Sequence, residues 1–286
     1  MTLTTAVATI DFHVTSDCDQ ECAYCWGPKD FEHPVDTETA LRIVDRVKAA
    51  GAARIVFTGG DPLKRPDIGR LIRHGSEIGL EVALSTTGDH VTEDFLREVG
   101  PFIDLISLPL DGPTEEVNAR TKEPGHFAAI MRALAWLRAY PRIDVKLCTP
   151  VTRHNLAEVP AILRLADDYA RTTRARVFYN VFQAFPRAMF AVDWESLLVT
   201  DREFADLERR LAGQASIGVN FLSHQVLDQL YVMVFPDGSL VVPSGPDYMD
   251  LGTFLEIGDL DAALAASQFD SPKHLRHSRG WSRPGT

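Results

Sequence analysis

Three cysteines fall inside the stretch CDQECAYCW at 18–26, as Cys18, Cys22 and Cys25, and one more, Cys148, stands alone far downstream. A disulfide uses two thiols, and a structural zinc site is normally closed by four ligands. Three thiolates suit a centre that keeps one position open. A four-iron, four-sulfur cluster held by three thiolates leaves one iron free to bind something else. Zinc held by the three cysteines, with a histidine such as His33 as the fourth ligand, is the alternative these residue types leave open. Cys148 also reads as a small buried hydrophobe.

The elements that must position these thiols come in regular alternation. Strand-like runs occur at 9–14, 54–58, 81–85, 105–108, 144–149 and 176–182. Helical patterns lie between them; after Asp36, the residues Ala40, Ile43, Val44 and Val47 recur at helical spacing, with Asp36 as cap and Gly51 as stop. Further helical stretches are expected at 66–78, 92–99, 126–138 and 157–171. Repeated β-α units predict an α/β fold with a parallel sheet, and six of them predict an open partial (β/α)6 barrel. Beyond about Gly213 the pattern changes to short strands, a PDG turn at 236–238 and a helix near 259–267. The expected division is a barrel over 1–212 and a small α+β closing extension over 213–286. In such sheets the chemistry sits at the carboxyl ends of the strands, and the cysteine loop follows the first strand.

The cysteine spacing, three residues and then two with aromatic Tyr24 before the last thiol, resembles that of the radical S-adenosylmethionine (SAM) superfamily. TGGDP at 58–62 resembles the family's GGE motif, which meets the SAM amino group; here it supplies Gly59, Gly60 and Asp61, with Asp in place of the commoner Glu. LSTTG at 84–88 occupies the ribose-contacting strand end, offering Ser85 and Thr86, and SLPLDG at 107–112 brings Ser107 on the next strand. PVTRHN at 150–155 resembles the segment packed on the adenosine, with Val151, Arg153 and Asn155. The resemblance implies reductive cleavage of SAM at the cluster and abstraction of a hydrogen atom from a substrate in the barrel lumen. The glycines also suit a tight turn by themselves, and Ser85 and Thr86 suit a strand end.

The second half resembles the viperin family, whose members dehydrate a nucleotide triphosphate, and more distantly the cyclase of molybdopterin biosynthesis. Lys29 approximates the lysine after the cluster motif, and Lys146, Leu147 and Cys148 stand for a lysine–hydrophobe–asparagine strand. Val181, Phe182 and Gln183 match a VFQ stretch, and Tyr231 falls on a tyrosine placed near the substrate. Before VFQ, Phe178 and Asn180 replace two basic residues that grip the triphosphate, removing charge-assisted hydrogen bonds. A nucleoside, sugar or monophosphorylated metabolite is therefore expected. Arg187 and Arg153 are either anion partners or surface charges. Strand alternation puts Lys146 and Cys148 on one face, where a lysine calls for an anionic partner; Cys148 and Tyr231 are the candidates to return a hydrogen atom.

The PDG turn followed by VVPSG also resembles the auxiliary-cluster extensions of peptide-modifying relatives, but no cysteine follows Cys148, so a second cluster is excluded by count. The resemblance further implies an electron donor such as flavodoxin or ferredoxin. A net charge of −11, from 29 basic and 40 acidic residues, argues against nucleic acid. No apolar run reaches the roughly 18 residues of a membrane span. MTLTTAVATIDFHV lacks a basic segment followed by an apolar one, so a cytoplasmic enzyme without a signal peptide is expected.

Overall fold

In the computed structural model, which describes residues 7–29, 33–187 and 192–279, β1 (Thr9–His13) pairs in parallel with β2 (Arg54–Thr58). Between them runs the helix Thr37–Ala49. The Asp36 carboxylate caps it by accepting the Thr39 N–H at 2.7 Å, and Ala40, Ile43, Val44 and Val47 are its buried stripe. Gly51 then takes a left-handed conformation, φ 80°.

Close contacts divide the chain into two units. The first comprises the described parts of 1–17, 27–83 and 226–286; the second comprises 18–26 and 84–225. The chain passes from one to the other within β3 (Glu81–Ser85). In the first unit the strand order is β10 (Asp247–Thr253), β9 (Ser239–Ser244), β8 (Met233–Val234), β1, β2. The short β8 lies parallel to β1, and β9 and β10 add an antiparallel hairpin. The PDG turn forms as expected: Asp237 accepts the Ser239 N–H at 3.0 Å, and Gly238 takes φ 89°.

In the second unit β4 (Leu105–Pro109), β5 (Asp144–Val151), β6 (Val177–Gln183) and β7 (Gly218–Leu222) pair in parallel in that order. On β5 the odd-numbered Val145, Leu147, Thr149 and Val151 are buried, whereas Lys146, Cys148 and Pro150 on the other face are partly exposed. The helices His126–Leu137 and Val159–Ala170 arise where their apolar periodicity predicts.

The fold is α/β with an open, largely parallel sheet. The helix Asp201–Leu211 and the strand β7 are among the elements outside the six-unit reading. The helix opens with a capping box between Thr200 and Glu203. β7 then continues the parallel run beyond β6, because Val219 and Phe221 fit a half-buried edge next to Tyr179 and Val181. The boundary expected at 212/213 falls between these two elements, inside the second unit. Among the described residues no helix is long and apolar enough to cross a membrane.

Candidate active site

The cysteine loop belongs to the second unit and is hooked to it by every other residue. Gln20 donates through Nε2 to Asp89 at 2.7 Å and accepts the Glu123 N–H at 2.9 Å, while its own N–H donates to Cys18 Sγ at 3.4 Å. Cys22 is buried and accepts a hydrogen bond from Lys122 Nζ at 3.1 Å. The Tyr24 hydroxyl donates to Asp111 Oδ2, which also accepts from the Thr121 hydroxyl at 2.8 Å. Cys18 and Cys25 are partly exposed, whereas Cys22 is buried.

These hooks form one electrostatic system. Asp111 is fully buried, and its Oδ1 has no hydrogen-bond partner. Burial works against a charge on Lys122, but negative charge at Cys22 Sγ and at the Asp111 carboxylate, with the hydrogen bond to Cys22, outweighs it and raises the ammonium's pKa. Burial, Asp111 and Cys22 hold the Tyr24 phenol protonated well above the usual range. Asn118 orders the surroundings: its side chain accepts the Asp111 N–H at 3.0 Å and donates to His126 Nδ1 at 2.9 Å, while His126 Nε2 donates to the Thr87 carbonyl at 2.9 Å. With both ring nitrogens so engaged, His126 is neutral, and burial and Lys122 lower its pKa.

Downstream, a polar row crosses four strands. In register, Ser107 lies beside Lys146, Cys148 beside Asn180, and Asn180 beside Asn220. The Ser107 hydroxyl and the Cys148 thiol are 3.2 Å apart, and Asn220 donates to Asn180 at 3.0 Å. Burial raises the Cys148 pKa, opposed by Lys146 and the Ser107 hydrogen bond. The thiol therefore keeps its hydrogen at neutral pH.

The other motif residues divide by unit. In the first, Gly60 N–H donates to Thr15 O at 2.8 Å and Asp61 N–H to Asp17 O at 2.6 Å. The two glycines let 15–17 lie directly on the end of β2: a Cβ on Gly59 would stand 2.2 Å from Thr15 O, and one on Gly60 2.2 Å from Asp17 O. The buried Asp61 carboxylate accepts the Leu63 N–H at 3.1 Å. Tyr231 packs on Met233, Phe235 and Val241 in the same unit, and Lys29 is half-buried. His33 is exposed.

In the second unit Ser85 is partly exposed, while Thr86 is buried and donates its N–H to Ser107 O at 3.2 Å. Val151 is fully buried on the face of β5 opposite Cys148. The Asn155 amide closes its own turn, accepting the Thr152 N–H at 2.8 Å and donating to Asp111 O at 3.1 Å. Arg153 is a half-exposed side chain facing Glu203 at 3.5 Å, a rim pair of little energetic weight. Gln183 lies on the face of β6 opposite Asn180; it donates to Asp201 at 2.8 Å and accepts the His224 N–H at 3.2 Å, joining the strand end to the segments after it. Arg187 is 1% exposed, its guanidinium 4.6 Å from the Trp26 ring and 4.4 Å from that of Phe185. A cation is thus clamped beside the last residue of the cysteine stretch.

Sequence reading gave no role to Gln20, Asp111, Asn118, Thr121 or Lys122. Asp111 sat in the SLPLDG motif, and a polar TKE run just before an apolar helix was the other available signal.

A profile of the Radical SAM superfamily matches residues 12–166, more than half of the chain. The chain belongs to the radical SAM superfamily. It is an enzyme whose cofactors are a 4Fe–4S cluster and SAM. The donor chemistry fits: three thiols sit in one loop, one of them already paired with a buried cation as a buried thiolate requires. Among the described residues no three potential ligands converge on a single-ion site. Similar proteins include the AdoMet-dependent heme synthase of Methanosarcina barkeri, 29% identical over 64% of this chain and 52% of its own length. An S-adenosylmethionine-dependent nucleotide dehydratase of Flammeovirga pacifica is 25% identical over 88% of both chains. The chain thus spans about half of the heme synthase and most of the dehydratase. Streptococcus suis SuiB bound to S-adenosylmethionine shares the fold, with a TM-score of 0.68, 12% identity and 95% and 68% of the two chains covered.

Proposed function

We propose that this radical SAM enzyme abstracts a hydrogen atom from a small nucleotide-, nucleoside- or sugar-like metabolite, with the polar row of β4 to β7 facing that substrate. The row carries the reading. Ser107, Asn180 and Asn220 are neutral donors and acceptors suited to sugar hydroxyls or a base edge, and Lys146 is a single cation suited to one anionic group. Alignment with a nucleotide dehydratase along most of both chains supports the same class. Phe178, beside Lys146 in register, puts an aromatic ring where a second cation would strengthen the grip on a triphosphate.

Cys18, Cys22 and Cys25 would hold the cluster, and Gly59, Gly60, Asp61, Ser85, Thr86 and Val151 belong to the segments assigned to SAM. When bound, the two supply reductive cleavage of SAM and hydrogen-atom abstraction. This chain's residues do the rest. Gly59 and Gly60 fix the backbone entering the cysteine loop, Lys146 orients an anionic part of the substrate, and the buried Arg187 steadies the end of the cysteine stretch through Trp26. Cys148 holds a hydrogen on Sγ: giving it up breaks S–H, forms C–H on the substrate and leaves a sulfur radical, which one electron from an external donor, such as flavodoxin or ferredoxin, and one proton from solvent return to the thiol.

Anaerobically reconstituted enzyme, given SAM and a reductant, should form 5′-deoxyadenosine faster with nucleosides, nucleotides or sugar phosphates than without substrate. Stimulation only by peptides would overturn the reading, and nucleoside triphosphates alone would overturn the preference for low charge.

A further inference from the structure

We propose that Lys122 is a positioning residue for the cysteine loop, one that fixes the Cys22 thiolate and sets how readily a cluster bound there accepts an electron. The proposal rests on the assignment of Cys18, Cys22 and Cys25 to the cluster.

Lysine is among the residue types least often buried, yet Lys122 is only 9% exposed. Its ammonium donates to Cys22 Sγ at 3.1 Å and lies 5.5 Å from the centre of the Tyr24 ring. The Tyr24 hydroxyl in turn binds the fully buried Asp111. The cation is therefore built into a site with two acidic groups and an aromatic wall.

The backbone around it is fixed on both sides. Lys122 N–H donates to Asn118 O at 3.1 Å, and the next amide, Glu123 N–H, reaches back to Gln20 Oε1 in the cysteine loop at 2.9 Å. Thr121, the residue before, donates to the same Asp111 oxygen as Tyr24. Residues 121–123 thus meet the loop's own network at three consecutive positions, and Lys122 is the one that touches a thiol.

An N–H to sulfur hydrogen bond draws electron density from a ligand thiolate, and the charge behind it offsets the negative charge a cluster gains on reduction. Hydrogen bonds to the sulfurs and local charge are among the factors that set cluster potentials. Lys122 supplies both at one ligand. A methionine would keep the length and apolar stem of the side chain while removing donor and charge; an arginine keeps both.

The test uses Cys22→Ala, Lys122→Met, Lys122→Gln and Lys122→Arg in the full chain, reconstituted with iron and sulfide without oxygen. Iron and sulfide content, circular dichroism and the midpoint potential by EPR-monitored titration without SAM are measured on each. Lys122→Met and Lys122→Gln should be at least tenfold harder to reduce, a fall of about 59 mV for one electron, with Lys122→Arg returning toward wild type. Native circular dichroism with lost iron in Lys122→Met, restored in Lys122→Arg, supports the positioning role equally. If Lys122→Met fails to fold, Lys122→Gln decides by the same potential. A full cluster at the wild-type potential in either neutral variant overturns the proposal. A full cluster in Cys22→Ala overturns the ligand assignment beneath it.

Discussion

The Cys148 thiol stands 3.2 Å from the Ser107 hydroxyl of the neighbouring strand, on the face of β5 that also carries Lys146. Tyr231 belongs to the other unit and packs on Met233, Phe235 and Val241. If Cys148 returns the hydrogen atom, Cys148→Ala should still form 5′-deoxyadenosine at close to the wild-type rate while losing the normal product. Tyr231→Phe then retains product. The reverse pattern makes Tyr231 the donor, and wild-type product from both variants returns both residues to packing roles.

Replacing Cys18, Cys22 or Cys25 singly by Ala should abolish the iron–sulfur absorbance of reconstituted protein, while Cys148→Ala keeps it. Iron and zinc analysis of the wild type checks the same assignment: about one zinc and no iron would refute it.

Gly60→Ala should destabilise the fold by about 1–3 kcal/mol, because the added methyl cannot avoid backbone atoms. It would meet Asp17 O at 2.2 Å and Ser16 O at 2.4 Å, one residue before Cys18. Denaturant midpoints measure the loss, and reduced iron uptake should accompany it. An unchanged midpoint would mean that the backbone yields freely there.

His13 is buried edge-on against Phe235, its ring centre 5.5 Å away, with no hydrogen-bond partner at Nδ1. Burial lowers its pKa from 6.5 to about 3. Below pH 6.5 the unfolded chain binds a proton that the folded chain refuses, so this group's contribution to stability is complete above 6.5. It is lost as pH falls toward 3, by up to about 1.4 kcal/mol per pH unit. Urea midpoints from pH 7 to 4 should fall less steeply in His13→Phe than in wild type; parallel slopes would mean that His13 does not titrate this way.

The sequence by itself determined the alternating fold and the cysteine loop, because both are local. Apolar periodicity and caps such as Asp36 specify a helix within a dozen residues, and three thiols in eight positions need no partner to be noticed. Strand alternation placed Lys146 and Cys148 on one face for the same reason. Only the tertiary structure decided what surrounds these groups. It spent Gln183 and Asn155 on closing turns and strand ends, left Arg153 at the rim and buried Arg187 between Trp26 and Phe185. It also brought Lys122 to Cys22 across 100 positions of chain. No periodicity encodes such a pair: a lysine's propensity to be exposed is overridden only where folding gathers opposite charges around it.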